Sequence, residues 1–313
     1  MIGTLVGANA RLERLLVNVG HKWSNWRIVS SLCYRAGEHL AAKAPAECER
    51  VARLNADGLL CGSLKERMFR QMYFHGSYEP EITHLIQKLA APGQVWFDIG
   101  ANIGYYTILL STSVGPTGQV VAFEPNPSAA DFLDRSIALN KRNNVHLFRN
   151  AVSDSSEEDV VLHVPHGCDV EGGSGRASLI RQRDVAASSS VPIKTISIDG
   201  LLRRGQRPPE FVKIDVEGYE ERVLAGMRET LASVPPKLII CEANQQIDSL
   251  TSPSALIKYV AEFGYAIFRI RSDGLRAYAL GDNLHPRDDA NLAFVHSSAY
   301  TSALINDLLR RNA

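Results

Sequence analysis

From residue 93 onward, short apolar runs alternate with amphipathic stretches whose apolar residues have helical spacing. Runs that are apolar throughout are typical of strands buried on both faces of a parallel sheet, and the amphipathic stretches predict the helices that cover those faces. The seven predicted strands have the sequences QVWFDIG, QVVAFEP, VHLFRNAV, FVKIDVEG, KLIICEAN, YAIFRI and NLAFVH. No helical pattern separates the last two, so we expect them to pair antiparallel at one side. The pattern therefore predicts an α/β fold with a mostly parallel sheet.

Residues 1–90 show helical spacing and no strand alternation. Two groups of apolar positions carry the pattern: Leu12, Leu15, Leu16 and Val19, and then Ile82, Leu85, Ile86 and Leu89. The spacing predicts a helical N-terminal arm or cap over residues 1–90, followed by a larger domain over residues 91–313. The apolar stripe of the arm either packs on its own domain or forms a homodimer.

Residues 153–200 interrupt the alternation of strands and helices. The segment VEGGSGRAS is rich in glycine and serine and predicts a loop, while DVVLHVP and VPIKTISID on either side are strand-like. We interpret this stretch as a β and loop insertion within the larger domain.

Composition excludes several classes of protein. The hydrophobic fraction is 45% and the charged fraction 22%, and 34 Lys and Arg balance 34 Asp and Glu. A net charge of zero gives no reason to expect nucleic acid as a partner. The five cysteines are odd in number and lack CxxC spacing, which argues against a disulfide framework. With no apolar run of about 18 residues and no secretory pattern, we expect a cytoplasmic protein without a transmembrane segment.

The first predicted strand ends in FDIGANIG, where Asp98 precedes Gly100 and Gly104. Ligands of doubly wound sheets bind beyond the carboxyl ends of the strands. A dinucleotide site has the fingerprint GxGxxG around a pyrophosphate, whereas this chain has GxxxG and a carboxylate that would repel one. The carboxylate suits the cationic groups of S-adenosylmethionine (SAM). Glu124, at the tip of the second strand, would bind ribose hydroxyls of either cofactor. An NAD(P)-dependent oxidoreductase and a non-catalytic binding protein therefore stay as alternatives.

Five ordered blocks, FDIGANIGYYT, VVAFEPNP, NAVSD, KIDVEGYE and NLAFVH, resemble the FkbM family of SAM-dependent methyltransferases. The resemblance covers residues 76–296, and residues 1–75 carry no motif of that family. It implies a class I, Rossmann-like methyltransferase sheet of seven strands with SAM as cofactor. It also implies O-methylation of a hydroxyl on a small natural product, sugar or glycan, so the expected partner is a small molecule or saccharide.

The resemblance also assigns cofactor-binding positions. Its cofactor loop matches Asp98, Gly100, Asn102 and Gly104, its ribose acid matches Glu124, and the positions expected to lie by the adenosine are Asn126, Asn150 and Ala151. Glu79 lies just before the fold proper. We expect it at the methionine end of the cofactor, and its alternative role is to pack the cap against the sheet.

The candidate catalytic residues are the acids that follow the fourth and fifth strands: Asp215, Glu217 and Glu242. Methyl transfer to an alcohol requires removal of the hydroxyl proton, so Asp215, Glu217 or a histidine from elsewhere in the fold would act as general base. Alternatively, the three acids hold a divalent cation, Mg²⁺ rather than zinc, that lowers the pKa of the acceptor hydroxyl. We favour the general base over the metal. A further alternative for Glu217 is to cap the following helix.

Overall fold

The computed structural model describes residues 8–22, 35–37, 49–165, 177–179, 188–243, 253–272, 274–278, 290–301 and 308. The helices are α1 Ala8–Lys22, α2 Arg67–His75, α3 Pro80–Leu89, α4 Tyr105–Val114, α5 Pro127–Leu139, α6 Ile198–Arg203, α7 Glu220–Ala225, α8 Arg228–Ser233 and α9 Pro253–Ala261. The strands are β1 Glu49–Leu54, β2 Gly58–Ser63, β3 Val95–Ile99, β4 Gln119–Phe123, β5 Val145–Phe148, β6 Ala151–Val152, β7 Asp159–Pro165, β8 Ser188–Ile196, β9 Phe211–Ile214, β10 Leu238–Ala243, β11 Tyr265–Arg271, β12 Gly274–Ala277 and β13 Ala290–His296.

The central sheet has the strand order β12-β11-β13-β10-β9-β3-β4-β5. Strands β5, β4, β3, β9 and β10 are parallel, and β13 runs antiparallel to β10 and β11. The predicted α/β fold and the antiparallel pairing of the last two predicted strands are confirmed. The chain turns back between β3 and β9, so the fold has its ligand-binding switch point there.

The described part of the sheet has eight strands, one more than the seven that the pattern predicts. The additional strand, β12, lies at the edge and pairs antiparallel with β11. Its sequence, GLRA, is too short and too polar to stand out as an apolar run.

The prediction that residues 1–90 are helical is wrong for β1 and β2, which form an antiparallel hairpin. In β1, Arg50, Ala52 and Leu54 point inward and are buried. The sequence of β1 does not alternate between apolar and polar residues, because the inward-facing Arg50 is charged. Its charge is balanced inside the protein by Glu13 of α1, at 2.9 Å.

The hairpin is fixed to the end of α5 by hydrogen bonds that resemble strand pairing. Asn140 accepts from the Leu59 backbone N–H at 2.8 Å and donates to the Leu59 carbonyl. The Cys61 N–H donates to the Ser136 hydroxyl at 2.9 Å. Buried residues of the hairpin, α2, α3 and α4 form one apolar cluster with one face of the central sheet. The N-terminal segment therefore shares its core with the sheet.

The apolar stripe of α1 is only partly covered. Leu16 and Val17 pack against the core cluster, whereas Leu12 is 43% exposed and Leu15 57% exposed. Packing on the chain's own core therefore accounts for part of the stripe, and a homodimer through the rest stays a prediction. In the described part of the chain, no helix is both long and apolar enough to span a bilayer.

The segment VHLFRNAV, predicted as one strand, is divided between two sheets. Residues 145–148 form β5 of the central sheet, and residues 151–152 form β6 of a three-stranded sheet ordered β6-β8-β7. Strands β7 and β8 lie within the predicted insertion at 153–200 and pair antiparallel. Most of the glycine-rich loop between them lies outside the described residues.

Candidate active site

The carboxyl ends of β3, β4, β9 and β10 bring the predicted acids to one edge of the sheet. Asp98 lies near the end of β3, Glu124 follows β4, Asp215 follows β9, and Glu242 lies near the end of β10. The parallel register pairs Asp98 with Lys213 of β9. Because this edge adjoins the switch point, it is the expected place for a bound ligand.

Glu124 holds the two loops that the sequence assigns to the cofactor. One carboxylate oxygen accepts from the Asn102 backbone N–H at 2.7 Å, and the other accepts from the Asn126 N–H at 2.8 Å. The first of these bonds holds Asn102 in a left-handed conformation, with φ of 51°. Burial raises the pKa of Glu124 to about 7, against the effect of the two N–H donors. Glu124 is thus a buried acid whose charge changes near neutral pH.

The two glycines of the loop allow other parts of the chain to approach the loop backbone closely. Gly100 has φ of +81°, and a Cβ there would lie 1.7 Å from the Asp215 carbonyl oxygen. At Gly104, with φ of +98°, a Cβ would lie 2.3 Å from Leu133 Cδ1 of α5. The first glycine therefore lets the ends of β3 and β9 meet, and the second lets the loop approach α5.

Replacing Gly100 with alanine is expected to lower the free energy of unfolding by about 3 kcal/mol or more. The left-handed conformation costs about 1–2 kcal/mol in a non-glycine residue, and the overlap with the Asp215 carbonyl adds about 1–3 kcal/mol. Gly205→Ala is the matched control, because Gly205 has φ of +96° and its added Cβ meets no atom within 4 Å. Equal losses for the two variants in urea denaturation would contradict the close contact at Gly100.

Two buried polar atoms near this loop have no protein partner: Asp98 Oδ1, an acceptor, and Asn126 Nδ2, a donor. Asn126 also caps α5, because its side-chain oxygen accepts from the Ser128 N–H at 3.2 Å. SAM carries an ammonium group that donates, together with hydroxyl and ring-nitrogen acceptors. The unpaired acceptor of Asp98 and the unpaired donor of Asn126 therefore fit the donors and acceptors of SAM.

Asn150 directly precedes β6, and Ala151 is its first residue, beyond the end of β5. The Asn150 side chain donates to the Lys194 carbonyl at 3.2 Å, and Ala151 pairs with Thr195 of β8. In the structure both residues join the central sheet to the insertion. Their contact with the adenine stays a prediction.

Lys213, which the sequence analysis did not assign, is a central charge of the site. It is 3% exposed, and its ammonium lies 2.9 Å from Asp215 Oδ2 and 4.8 Å from the centre of the Tyr106 ring. Burial lowers the pKa of Lys213, but the carboxylates of Asp215, Asp98 and Glu79 outweigh burial and raise it. The signal was a lysine inside the apolar strand FVKI, where a charge needs a partner from neighbouring elements.

Asp98 is fully buried and is balanced from inside the protein. One carboxylate oxygen accepts from the Thr107 hydroxyl at 2.6 Å. Burial raises the pKa of Asp98, against the opposing effects of Lys213 and Thr107. From the sequence, we expect a cationic ligand to balance Asp98. In the structure, Lys213 already supplies a positive charge next to Asp98.

Asp215 and Glu242 form a carboxyl pair in which each side chain shifts the pKa of the other. Burial opposes ionisation of Asp215, but Lys213 and a hydrogen bond from Glu242 outweigh it and lower the pKa of Asp215. The charge of Asp215, followed by burial, raises the pKa of Glu242 well above its usual range. The pair therefore favours an ionised Asp215 beside a Glu242 that keeps its proton more readily than a free glutamic acid.

Glu217 does not continue β9, which ends at Ile214. Glu217 has φ of 54°, and its backbone carbonyl accepts from the Ser178 hydroxyl at 2.9 Å. Its charge still contributes to the raised pKa of Glu242. At the start of α7, Glu220 accepts from the Gly218 N–H at 3.0 Å. In this turn a backbone N–H is therefore bound by Glu220, whereas from the sequence the capping role was considered for Glu217.

Tyr78 and Glu79 bring the N-terminal segment to the carboxyl pair. Glu79, with φ of 38°, precedes α3 and accepts a hydrogen bond from the Tyr106 hydroxyl at 2.7 Å. Burial raises the pKa of Tyr78, and the charges of Glu79, Asp215 and Glu242 raise it further. Glu79 thus links the N-terminal segment to α4 and is also close enough to affect the acids of the site. Its place at the methionine end of the cofactor and its alternative role, packing the cap against the sheet, stay predictions.

Comparison with known proteins supports the resemblance to the FkbM methyltransferases. The model of the methyltransferase FkbM domain matches residues 98–267, more than half of the chain. The chain belongs to the FkbM methyltransferase family. This removes the oxidoreductase alternative, and the strand order is that of a class I methyltransferase.

Two curated relatives of this FkbM protein are methyltransferases. Hexuronic acid methyltransferase AglP of Haloferax volcanii is 32% identical over 185 residues, which cover 59% of this chain and 68% of AglP. Methyltransferase sdnD of Sordaria araneosa is 27% identical over 158 residues, which cover 42% of this chain and 60% of sdnD. Among solved structures, M. jannaschii TYW2 in complex with AdoMet has 19% identity and a TM-score of 0.40, with coverage of 80% of this chain and 86% of TYW2.

The FkbM match contains every assigned site residue except Glu79, because it begins at Asp98. Within the described ranges, no group of three or more His, Cys, Asp or Glu side chains has an arrangement that could hold a metal ion. The charges of Asp215 and Glu217 both raise the pKa of Glu242, and the joint catalytic role of the three acids stays a prediction. The strongest contacts of Asp215 are with Lys213 and Glu242.

Proposed function

We propose that this FkbM protein is a SAM-dependent O-methyltransferase that acts on a hydroxyl of a sugar, glycan or small natural product. The observation that carries the proposal is the Asp215–Glu242 pair, held beside Lys213 at the edge of the sheet where the cofactor loop begins. The printed name of AglP, a hexuronic acid methyltransferase, supports an acceptor of the saccharide class.

The residues that would hold SAM are Asp98, the loop from Gly100 to Gly104, Glu124 and Asn126. When bound, SAM supplies an electrophilic methyl group to the acceptor oxygen. Glu124 offers carboxylate oxygens to ribose hydroxyls, and the unpaired donor of Asn126 and unpaired acceptor of Asp98 offer further contacts.

The catalytic task of the protein is to accept the proton of the acceptor hydroxyl, because a neutral alcohol is a weak nucleophile. Lys213 keeps Asp215 ionised, so a carboxylate oxygen of Asp215 can accept a hydrogen bond from the acceptor hydroxyl and take its proton as the new C–O bond forms and the oxygen becomes acidic. Glu242, whose pKa is raised, donates a hydrogen bond to Asp215 when it is protonated and so orients that carboxylate. Lys213 is a positioning residue, since its ammonium acts through Asp215.

Calorimetry with S-adenosylhomocysteine tests both the cofactor and the role of Glu124. A ribose hydroxyl donates to the ionised form of Glu124, and the pKa of this acid is about 7 in the free protein. Lowering the pH from 8 to 6 should therefore weaken binding on the order of tenfold. In Glu124→Gln, binding should be weaker at pH 8, and the part of the pH dependence due to Glu124 should disappear.

Glu210→Gln is the control, because Glu210 pairs with Lys237 at the surface. It should bind S-adenosylhomocysteine as the wild type does at both pH values. Absence of binding heat in the wild-type protein would overturn the proposed function. Equal pH dependence in the wild type and Glu124→Gln would overturn only the role of Glu124.

A further inference from the structure

An open groove of about 400 Å³ lies beside α3, outside the site described above. We name it the distal groove. The lining residues used below are Asn55, Glu81, His84, Gln87, Tyr105 and Ser272. Its volume is within the range of sites that bind small molecules, about 300–1,000 Å³.

The distal groove lies at the same edge of the sheet as the catalytic pair. Strand β11 is antiparallel to β13, which is antiparallel to β10, so β10 and β11 run in the same direction. Ser272 directly follows β11 and therefore lies at the carboxyl edge, as Glu242 does. The groove is on the β11 side of the sheet, whereas the cofactor loop is on the side of β3 and β4.

Tyr78 connects the distal groove to the catalytic pair. The charges of Asp215 and Glu242 act on Tyr78, and its ring packs edge-on against Tyr105 at a centroid distance of 6.0 Å. Tyr105 in turn lines the groove, and its hydroxyl lies 3.1 Å from Thr83 Oγ1. Tyr78 therefore contacts the groove-lining Tyr105 and is close enough to the carboxyl pair to be affected by its charges, which makes the groove and the pair neighbours at this edge.

The chemistry of the lining suits an uncharged ligand with many hydroxyl groups. Glu81, His84 and Gln87 are exposed and spaced three residues apart along α3. With Asn55 and Ser272 they offer a carboxylate, an imidazole, two amides and a hydroxyl, which both donate and accept hydrogen bonds. The described lining contains no lysine or arginine, the side chains that recognise phosphate or carboxylate groups.

We propose that the distal groove binds an uncharged saccharide unit next to the unit that is methylated. The acceptor is then an oligosaccharide or glycoside rather than a single sugar. This inference rests on the proposed O-methyltransferase function, and it adds a second acceptor subsite to it.

A glycan array tests the proposal with the full-length chain. The array presents neutral hexoses singly, the same hexoses extended by one or two neutral units, and the same hexoses extended by a uronic acid. Labelled protein is applied with saturating S-adenosylhomocysteine. We expect at least one neutral extended glycan to bind about tenfold more tightly than its single sugar, a difference of about 1.4 kcal/mol.

The double variant His84→Ala, Gln87→Ala should lose about tenfold in affinity for the extended glycan. Lys88→Ala, on the same helix but outside the groove lining, should bind as the wild type does. Calorimetry with S-adenosylhomocysteine on each variant reports whether the cofactor site is still folded.

Three outcomes would overturn the proposal that the distal groove binds a saccharide unit. These are no binding of any neutral glycan, equal affinity for single and extended glycans, or no loss of affinity in the double variant. A preference for the uronic acid extension would also contradict it, because the described lining contains no lysine or arginine to recognise a carboxylate. Failure of the proposed function is a separate result, since it would appear as absence of S-adenosylhomocysteine binding in the wild type.

Discussion

Replacing Lys213 with methionine should lower the free energy of unfolding by about 3–5 kcal/mol, the usual cost of removing one partner from a buried charge pair. The ammonium is 3% exposed and balances Asp215 and Asp98. Methionine keeps the length and apolar character of the side chain but leaves both carboxyl groups without their cation. Urea denaturation at neutral pH measures the effect.

Lys237→Met is the matched control for this variant. Lys237 also forms a salt bridge, with Glu210 at 2.6 Å, but its side chain is 47% exposed. Its loss should cost only about 0–1 kcal/mol. Adding Asp98→Asn to Lys213→Met should restore part of the stability, because it removes a buried negative charge that no longer has a cation beside it. A double variant less stable than Lys213→Met would contradict the role of Lys213 as the counter-ion of Asp98.

Replacing Asp215 with asparagine should lower kcat for methyl transfer by about 10²–10⁴-fold, the usual contribution of a general base. Asparagine keeps the size of the side chain but cannot accept the hydroxyl proton. The measurement uses tritiated SAM with a library of neutral oligosaccharides and hydroxylated natural products, and it compares kcat with KM for SAM. A fall in kcat with KM for SAM little changed would indicate a catalytic rather than a structural effect.

Asp154→Asn is the control for the loss of a paired aspartate, because Asp154 pairs with Arg222 at the surface. It should keep wild-type turnover. The pH profile gives a second check. Since the pKa of Asp215 is lowered below its usual range, kcat at saturating SAM should not fall through loss of the base between pH 8 and 5. An ascending limb near neutral pH that disappears in Asp215→Asn would contradict an Asp215 held ionised by Lys213.

The sequence predicted the central sheet well because strands buried on both faces are continuous apolar runs. Each run ended at a polar residue, which located Asp98, Glu124, Asp215 and Glu242 at one edge. The sequence could not show what these acids contact. Lys213 lies in the middle of its strand, and its role depends on the register that pairs it with Asp98 from β3. That register is a property of the assembled sheet.

The hairpin β1–β2 was missed for a related reason. Its inward positions include Arg50, which is acceptable inside only because Glu13 of α1 and the hairpin meet in the folded chain. Likewise, the break between Phe148 and Ala151 follows from pairing with β8, more than 40 residues later in the chain. Patterns along the sequence report local burial, whereas these features depend on contacts between distant segments.

The position of β13 has a consequence for how the protein is made. This strand lies between β10 and β11 in the sheet, yet the chain reaches it only at residues 290–296, after both neighbours. On the ribosome, β10 would emerge with an open edge, and β11 would have no strand to join until β13 appears. Open edges template pairing with other chains. Nascent chains that stop before residue 290 should therefore aggregate or require a chaperone.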